Sequence, residues 1–167
     1  VALGGVFDSE AFGDSDDVLF VHVPYCSSDG FFGNFNNTDF NNEYRGHEII
    51  KAVFKTLFED LGVVAPLVVL GGTSAGGRGA MGNLDWANTF MSGSGSKVVG
   101  LLDSPLWVDV DPPILNNKQS YGLKNQTRDV YNMAGVGVDA GGNGVVPVEC
   151  AAAHPGEEYL CLFGEYR

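Results

Sequence analysis

The chain has 167 residues, a net charge of −12, nine Lys plus Arg and 24 glycines. That length suffices for one domain with a sizeable core. The scarcity of clustered basic residues excludes nucleic acid and anionic membrane surfaces as natural partners, and no stretch approaches the roughly 18 apolar residues of a membrane span.

The chain opens "VALGGVFD", with no initiator Met and no basic-then-apolar leader. The acidic run "DSEAFGDSDD", Asp8 to Asp17, reads as a solvated loop. A calcium site is the sharper alternative, but the spacing does not follow an EF-hand loop. "VLFVHVPY", Val18 to Tyr25, is β-rich and nearly all apolar. It is expected to be a strand buried on both faces, with His22 a satisfied core residue.

The period then changes. Ile50, Val53, Phe54, Leu57, Phe58 and Leu61 fall on one face of a helix. Asn42 is placed to cap its start and Gly62 to occupy C′. His47, near its first turn, is expected on an exposed or half-buried face. "PLVVLGG", Pro66 to Gly72, predicts a second short buried strand. Ala80, Met81, Leu84, Ala87 and Met91 return to helical spacing, "GSGS" ends that helix, and "KVVGLLD", Lys97 to Asp103, predicts a third strand. Strand, helix, strand, helix, strand with right-handed crossovers gives an α/β fold with a parallel sheet and flanking helices.

From Ser104 the periodicity disappears. Residues 17–103 read as the core of a single domain, and residues 104–167 as a loop-rich cap or insert with short helical turns. The three cysteines show no C-x-x-C spacing, so no zinc site is expected. Cys150 and Cys161 can bridge a short loop, which leaves Cys26 free or paired elsewhere. Sequons stand at Asn36 ("NNT") and Asn125 ("NQT"). Sequons and a disulfide together lean towards a secreted, extracellular or secretory-lumen setting.

Between the second strand and the second helix lies Gly72-Thr73-Ser74-Ala75-Gly76, a G-x-S-x-G pentapeptide. Its context, a buried strand ending at Gly72 and a helix starting near Ala75, is that of a nucleophile elbow. Small neighbours suit a serine in a strained turn, and Gly76, Gly77 and Gly79 would keep the first helical turn thin. Ser74 is then the candidate nucleophile, and the Ala75 N–H, at a helix N-terminus, the candidate oxyanion donor. The bland alternatives are an N-cap serine in a plain turn or a phosphate loop. A Walker loop fails because no Lys follows.

At these residues the sequence resembles the pectin acetylesterase/Notum family of carboxylesterases. "VPYCSSD", "GGTSAGGRGAMGNLDW", "LLDSPLWVD" and "VVPVEC…GEEYLCLFGEY" match four family segments in order over roughly residues 17–167. The resemblance implies an α/β-hydrolase-like fold and a Ser-His-Asp esterase without metal or organic cofactor. It implies hydrolysis of O-acyl esters, O-acetyl foremost, on polysaccharide or glycoconjugate through an acyl-enzyme at Ser74. Trp107 falls where the family has an aromatic residue near the acyl pocket. Pro105 replaces a family Gly, and Arg78 stands where a smaller residue is common.

The resemblance puts the catalytic Asp and His downstream of Arg167 and a Gly-Gly-Trp oxyanion stretch upstream of Val1. His154, on a loop, is a remote candidate base. Asp29, Asp85 and Asp103, near strand ends, are expected to fix loops. Too few strands are present to cover a sheet apolar on both faces. The 167 residues therefore read as the central portion of a larger domain, completed by the remainder of the same polypeptide. A second reading keeps the fold and loses the chemistry: an inactive glycoprotein serving a larger assembly.

Overall fold

The computed structural model describes residues 17–37, 42–110, 114–115, 118–119, 121–138 and 144–167. The acidic run before Asp17, with its calcium alternative, lies outside them, as does Thr38 of the first sequon.

The centre is a β-α-β unit. Strand β3 (Leu67–Thr73), helix α2 (Ala75–Met91) and strand β4 (Lys97–Asp103) lie within about a residue of their sequence-read positions. The strands pair in parallel, from Leu67 opposite Lys97 to Thr73 opposite Asp103. Val68, Leu70 and Val98 pack against a core of Phe31, Ile50, Phe54, Trp86, Ala87 and Met91. The expected burial of the strands on both faces is not met within these residues. Leu67 and Val69, on the face away from α2, are 51% and 44% exposed, because α1 and α2 cover one side of the pair.

The segment Val18–Tyr25 is a second correction. It forms no ladder among the described residues, and Leu19, Phe20 and Val21 are exposed. Apolar composition favours a strand, but a strand exists only where a neighbour supplies its hydrogen bonds. Val23 does pack against the Ile50–Trp86 core. His22 is exposed, not a core residue.

The first helix starts later than expected. Asn42 does not cap it. Residues 42–44 form strand β2 (Asn42–Tyr44), antiparallel to β1 (Phe35–Asn37), with Asn42 opposite Asn37. Helix α1 (Gly46–Phe54) instead begins on a remote cap: the Gly46 N–H donates to Asp29 Oδ2 at 2.7 Å. The helix runs on as a π-helical segment, Lys55–Asp60, and Gly62, at φ +66°, ends it as read. The wider π turn carries the apolar stripe round, so Leu61 is left exposed.

His47 is fully buried, against expectation. Its Nδ1 lies 2.6 Å from Asn83 Oδ1, and Asn83 Nδ2 donates to the carbonyls of Phe31 and Gly79. This network ties α1 to α2. Phe31, at φ +61°, turns the chain so that Phe31 and Phe32 enter different core clusters. Gly79 and Gly82 make room for them: a Cβ there would lie 2.7 Å from Phe31 and 2.4 Å from Phe32.

Beyond β4 come a short hairpin of β5 (Ile114–Leu115) and β6 (Lys118–Gln119), then α3 (Leu123–Met133), α4 (Val148–Ala153) and 3₁₀ turns at Glu158–Leu162 and Gly164–Tyr166. Helix α3, with 11 residues, is more regular than the loss of periodicity suggested. Cys150 and Cys161 form a disulfide within a core of Phe32, Val145, Val146 and Leu162. Cys26 is free and exposed. No helix among the described residues is long and apolar enough to cross a membrane.

Candidate active site

β3 delivers the chain to Ser74 at the C-terminal edge of the sheet, where open α/β folds place ligands. Ser74 has φ 55° and ψ −116°, a conformation that L-residues adopt only when the surrounding structure enforces it. The enforcement is visible. The Ser74 N–H donates to the Asp103 carbonyl at 2.9 Å, and the Arg78 N–H donates to the Ser74 carbonyl at 3.1 Å. Gly72 and Gly77 let the backbones close in. A Cβ on Gly72 would lie 2.3 Å from the carbonyl of Gly76, and one on Gly77 3.0 Å from the Pro105 side chain.

The result is a strand–turn–helix with an exposed serine at its apex. Thr73 is exposed beside it, and a Cβ on Gly76 would meet nothing within 4 Å. Ala75 is the first residue of α2, so helix geometry leaves its N–H without an intrahelical acceptor. That amide and the helix dipole together favour negative charge at the apex.

The end of β4 supports the same turn. Asp103 accepts hydrogen bonds from the hydroxyls of Thr73 (3.1 Å) and Ser104 (3.0 Å), and Ser104 itself has φ 53°. Asp29 is fully buried, accepting from Ser27 Oγ and from the N–H groups of Phe31, Gly33 and Gly46. Asp85 pairs with Arg167 at 2.6 Å. All three carboxylates fix loops or chain ends.

Among the described residues no histidine nitrogen lies within hydrogen-bond distance of Ser74 Oγ. His22 lies on the extended segment, His47 is committed to Asn83, and His154 packs edge-on against Tyr166 beside the disulfide.

Trp107 comes close to the first turn of α2. Its ring centroid lies 3.2 Å from the guanidinium carbon of Arg78, and its Nε1–H donates to Thr127 Oγ1. Arg78 is buried, and burial pushes its guanidinium down to about 9, still charged at neutral pH. The sequence marks Arg78 as a departure from its family but gives no sign that the residue turns inward. Thr127, the hydroxyl member of the Asn125 sequon, is also fully buried, and donates to the Leu123 carbonyl. The sequon threonine therefore has a packing role of its own, which spacing in sequence does not reveal. Asn125 lies on α3 and accepts from Arg128, and Asn36 lies in β1.

A sequence profile described as Pectinacetylesterase matches residues 18–167. Palmitoleoyl-protein carboxylesterase notum1a of Danio rerio is 36% identical over 152 residues, covering 86% of this chain and 29% of that protein. Palmitoleoyl-protein carboxylesterase notum2 of Xenopus laevis is 32% identical, with the same coverage of each. Among solved structures, the Wnt deacylase Notum from Drosophila superposes with a TM-score of 0.69 at 26% identity, over 86% of this chain and 41% of that one. The chain thus spans about three tenths of the length of these curated relatives. The fold is α/β-hydrolase-like, and with the profile spanning nearly all of its length, the chain belongs to the pectinacetylesterase family.

Proposed function

We propose that this chain carries the nucleophile turn of a serine carboxylesterase. It hydrolyses O-acyl esters, O-acetyl foremost, on polysaccharide or glycoconjugate. Ser74 Oγ attacks the ester carbonyl, the alcohol leaves, and water releases the acid from the acyl-enzyme. The Ala75 N–H stabilises the oxyanion of both tetrahedral intermediates, at a helix N-terminus that favours the same charge. A serine hydroxyl is a poor nucleophile without a base. The base and its carboxylate partner come from sequence beyond these 167 residues.

The observation that carries this reading is the backbone of Ser74, φ 55° and ψ −116°, exposed at a strand-to-helix turn. Such strain persists where it has a use. An N-cap serine in a plain turn needs none of it, and Ser74 makes no side-chain cap hydrogen bond. The same geometry weighs against an inactive structural subunit, which has no need of an exposed strained serine. The Cys150–Cys161 disulfide supports a secretory-pathway setting.

The test is fluorophosphonate labelling of the full-length protein, wild type against Ser74→Ala, with turnover of p-nitrophenyl esters of increasing acyl length. Labelling of wild type and not of the variant supports the reading. An unlabelled wild type that hydrolyses no ester ends it.

A further inference from the structure

Arg78 is a cation in the wrong place for a cation. It is 5% exposed, and neither Nε nor Nη2 has a hydrogen-bond partner. No carboxylate pairs with it among the described residues. A buried charge without an ion partner destabilises a fold, and an apolar side chain of the same length would serve packing better.

What the guanidinium does touch is aromatic. It lies over the rings of Trp107, 3.2 Å to the centroid, and Phe32, 5.2 Å to the centroid. Cation–π attraction is strongest for tryptophan and grows when the cation is desolvated. Trp107 is held a second time at its edge, where Nε1–H donates to Thr127 Oγ1 at 2.5 Å. Thr127 is fully buried and its hydroxyl donates to the Leu123 carbonyl at 2.8 Å, so that anchor is itself fixed to α3. The indole is therefore clamped on one face and at one edge.

The clamp belongs to the turn that carries Ser74. Arg78 lies one helical turn beyond Ser74 and bonds its carbonyl through the backbone. Pro105, two residues before Trp107, sits against Gly77, and the Asp103 carbonyl holds the Ser74 N–H. An aromatic wall free to change rotamer can swing aside for a longer chain. One stacked on a cation and hydrogen-bonded at its edge cannot do so without breaking both contacts.

We propose that Arg78 is a positioning and specificity-determining residue, whose guanidinium stacks on Trp107 and locks the indole as a rigid wall over the first turn of α2, the turn that follows Ser74. The rigid wall restricts the enzyme to short acyl groups. This inference rests on the esterase reading above.

The experiment uses the full-length protein and two readouts. The first needs no turnover: acrylamide quenching of Trp107, taken as the difference between each protein and its Trp107→Phe counterpart. Arg78→Met keeps the stem and removes the cation, and is expected to raise quenching about twofold, while Arg78→Lys restores much of the protection. The second is the ratio of kcat/KM for p-nitrophenyl hexanoate to that for the acetate. Arg78→Met is expected to raise it about tenfold, Arg78→Lys much less, and Trp107→Ala at least as much as Arg78→Met. The double variant should match Trp107→Ala alone, because both changes remove the same wall.

Unchanged quenching in Arg78→Met overturns the clamp. Raised quenching with an unchanged ester ratio, or additive effects in the double variant, overturns the specificity role. A wild type that neither labels at Ser74 nor cleaves any ester defeats the esterase reading and the acyl-length assignment with it, while the quenching measurement still decides the clamp.

Discussion

Gly72 and Gly76 approach so closely that a Cβ on Gly72 would lie 2.3 Å from both the carbonyl carbon and the oxygen of Gly76. Both obstacles are backbone, so no rotamer change relieves the clash. Gly72→Ala is expected to cost about 3 kcal/mol or more and to abolish fluorophosphonate labelling, since the turn must open to admit a methyl group. Gly76→Ala is the contrast. A Cβ there meets nothing within 4 Å, in a helix that alanine favours. Its stability should stay level or rise by about 0.5–1 kcal/mol. Denaturant midpoints of the two variants give the comparison directly.

Asp29 holds together the loop that precedes α1. Its two oxygens accept from one hydroxyl and three backbone N–H groups, all buried. Asn in its place puts an NH2 group against donors whichever way the amide turns. Asp29→Asn should therefore lose about 2–4 kcal/mol, read as a lower urea midpoint, although size and shape barely change. A loss under about 0.5 kcal/mol would mean that the loop is held by packing alone.

The Cys150–Cys161 bridge spans a sequence separation of 11 and lies in the core around Phe32 and Leu162. Loop-closure entropy puts its contribution at about 3 kcal/mol. Reduction, or paired Cys→Ala changes, should lower stability by that order, with Trp107 fluorescence shifting as the neighbouring Tyr159–Phe163 cluster loosens. Equal denaturation midpoints with and without reductant would contradict this.

Arg78→Met should stabilise the fold even as it loosens Trp107. At pH 7 the buried guanidinium is charged in both folded and unfolded chains, and only the folded one carries the desolvation cost. Methionine removes that cost at the loss of the cation–π contact, for a net gain of up to about 2 kcal/mol. The sign with pH follows from a folded-state pKa of about 9, below the ordinary arginine value. Below about pH 9 the penalty is complete. Above it the folded protein releases a proton that the unfolded chain still holds, and wild type gains stability relative to the variant. Urea unfolding at pH 7 and pH 10 should therefore show the gap between the two proteins narrowing at the higher pH.

Much of the central unit is legible without coordinates. β4 is bounded by Gly-Ser turns on one side and Ser104-Pro105 on the other, and its apolar run fits nothing but a short strand. The Gly72–Gly77 turn is legible for a similar reason: a strand that must hand over to a helix within two residues leaves few residue types that fit. Gly62 as a helix stop and the Cys150–Cys161 pairing are local as well.

What lay beyond the sequence is whatever depends on a partner distant in the chain. Val18–Tyr25 has the composition of a strand, but a ladder needs a neighbour, and composition does not supply one. Asn42 suits a cap as well as a hairpin; its pairing with Asn37 decided for the hairpin, and Asp29 took over the helix start. His47 looks like a surface residue until Asn83 is brought against it. Arg78 and Trp107 carry no mutual signal in sequence, and their stacking arises because the loop after β4 folds back over the first turn of α2. Local propensity and turn sterics determined the strand, the serine turn and the helix that follows. Burial and pairing between remote segments, which only the tertiary structure sets, decided which side chains are buried behind that turn and which hold it in place.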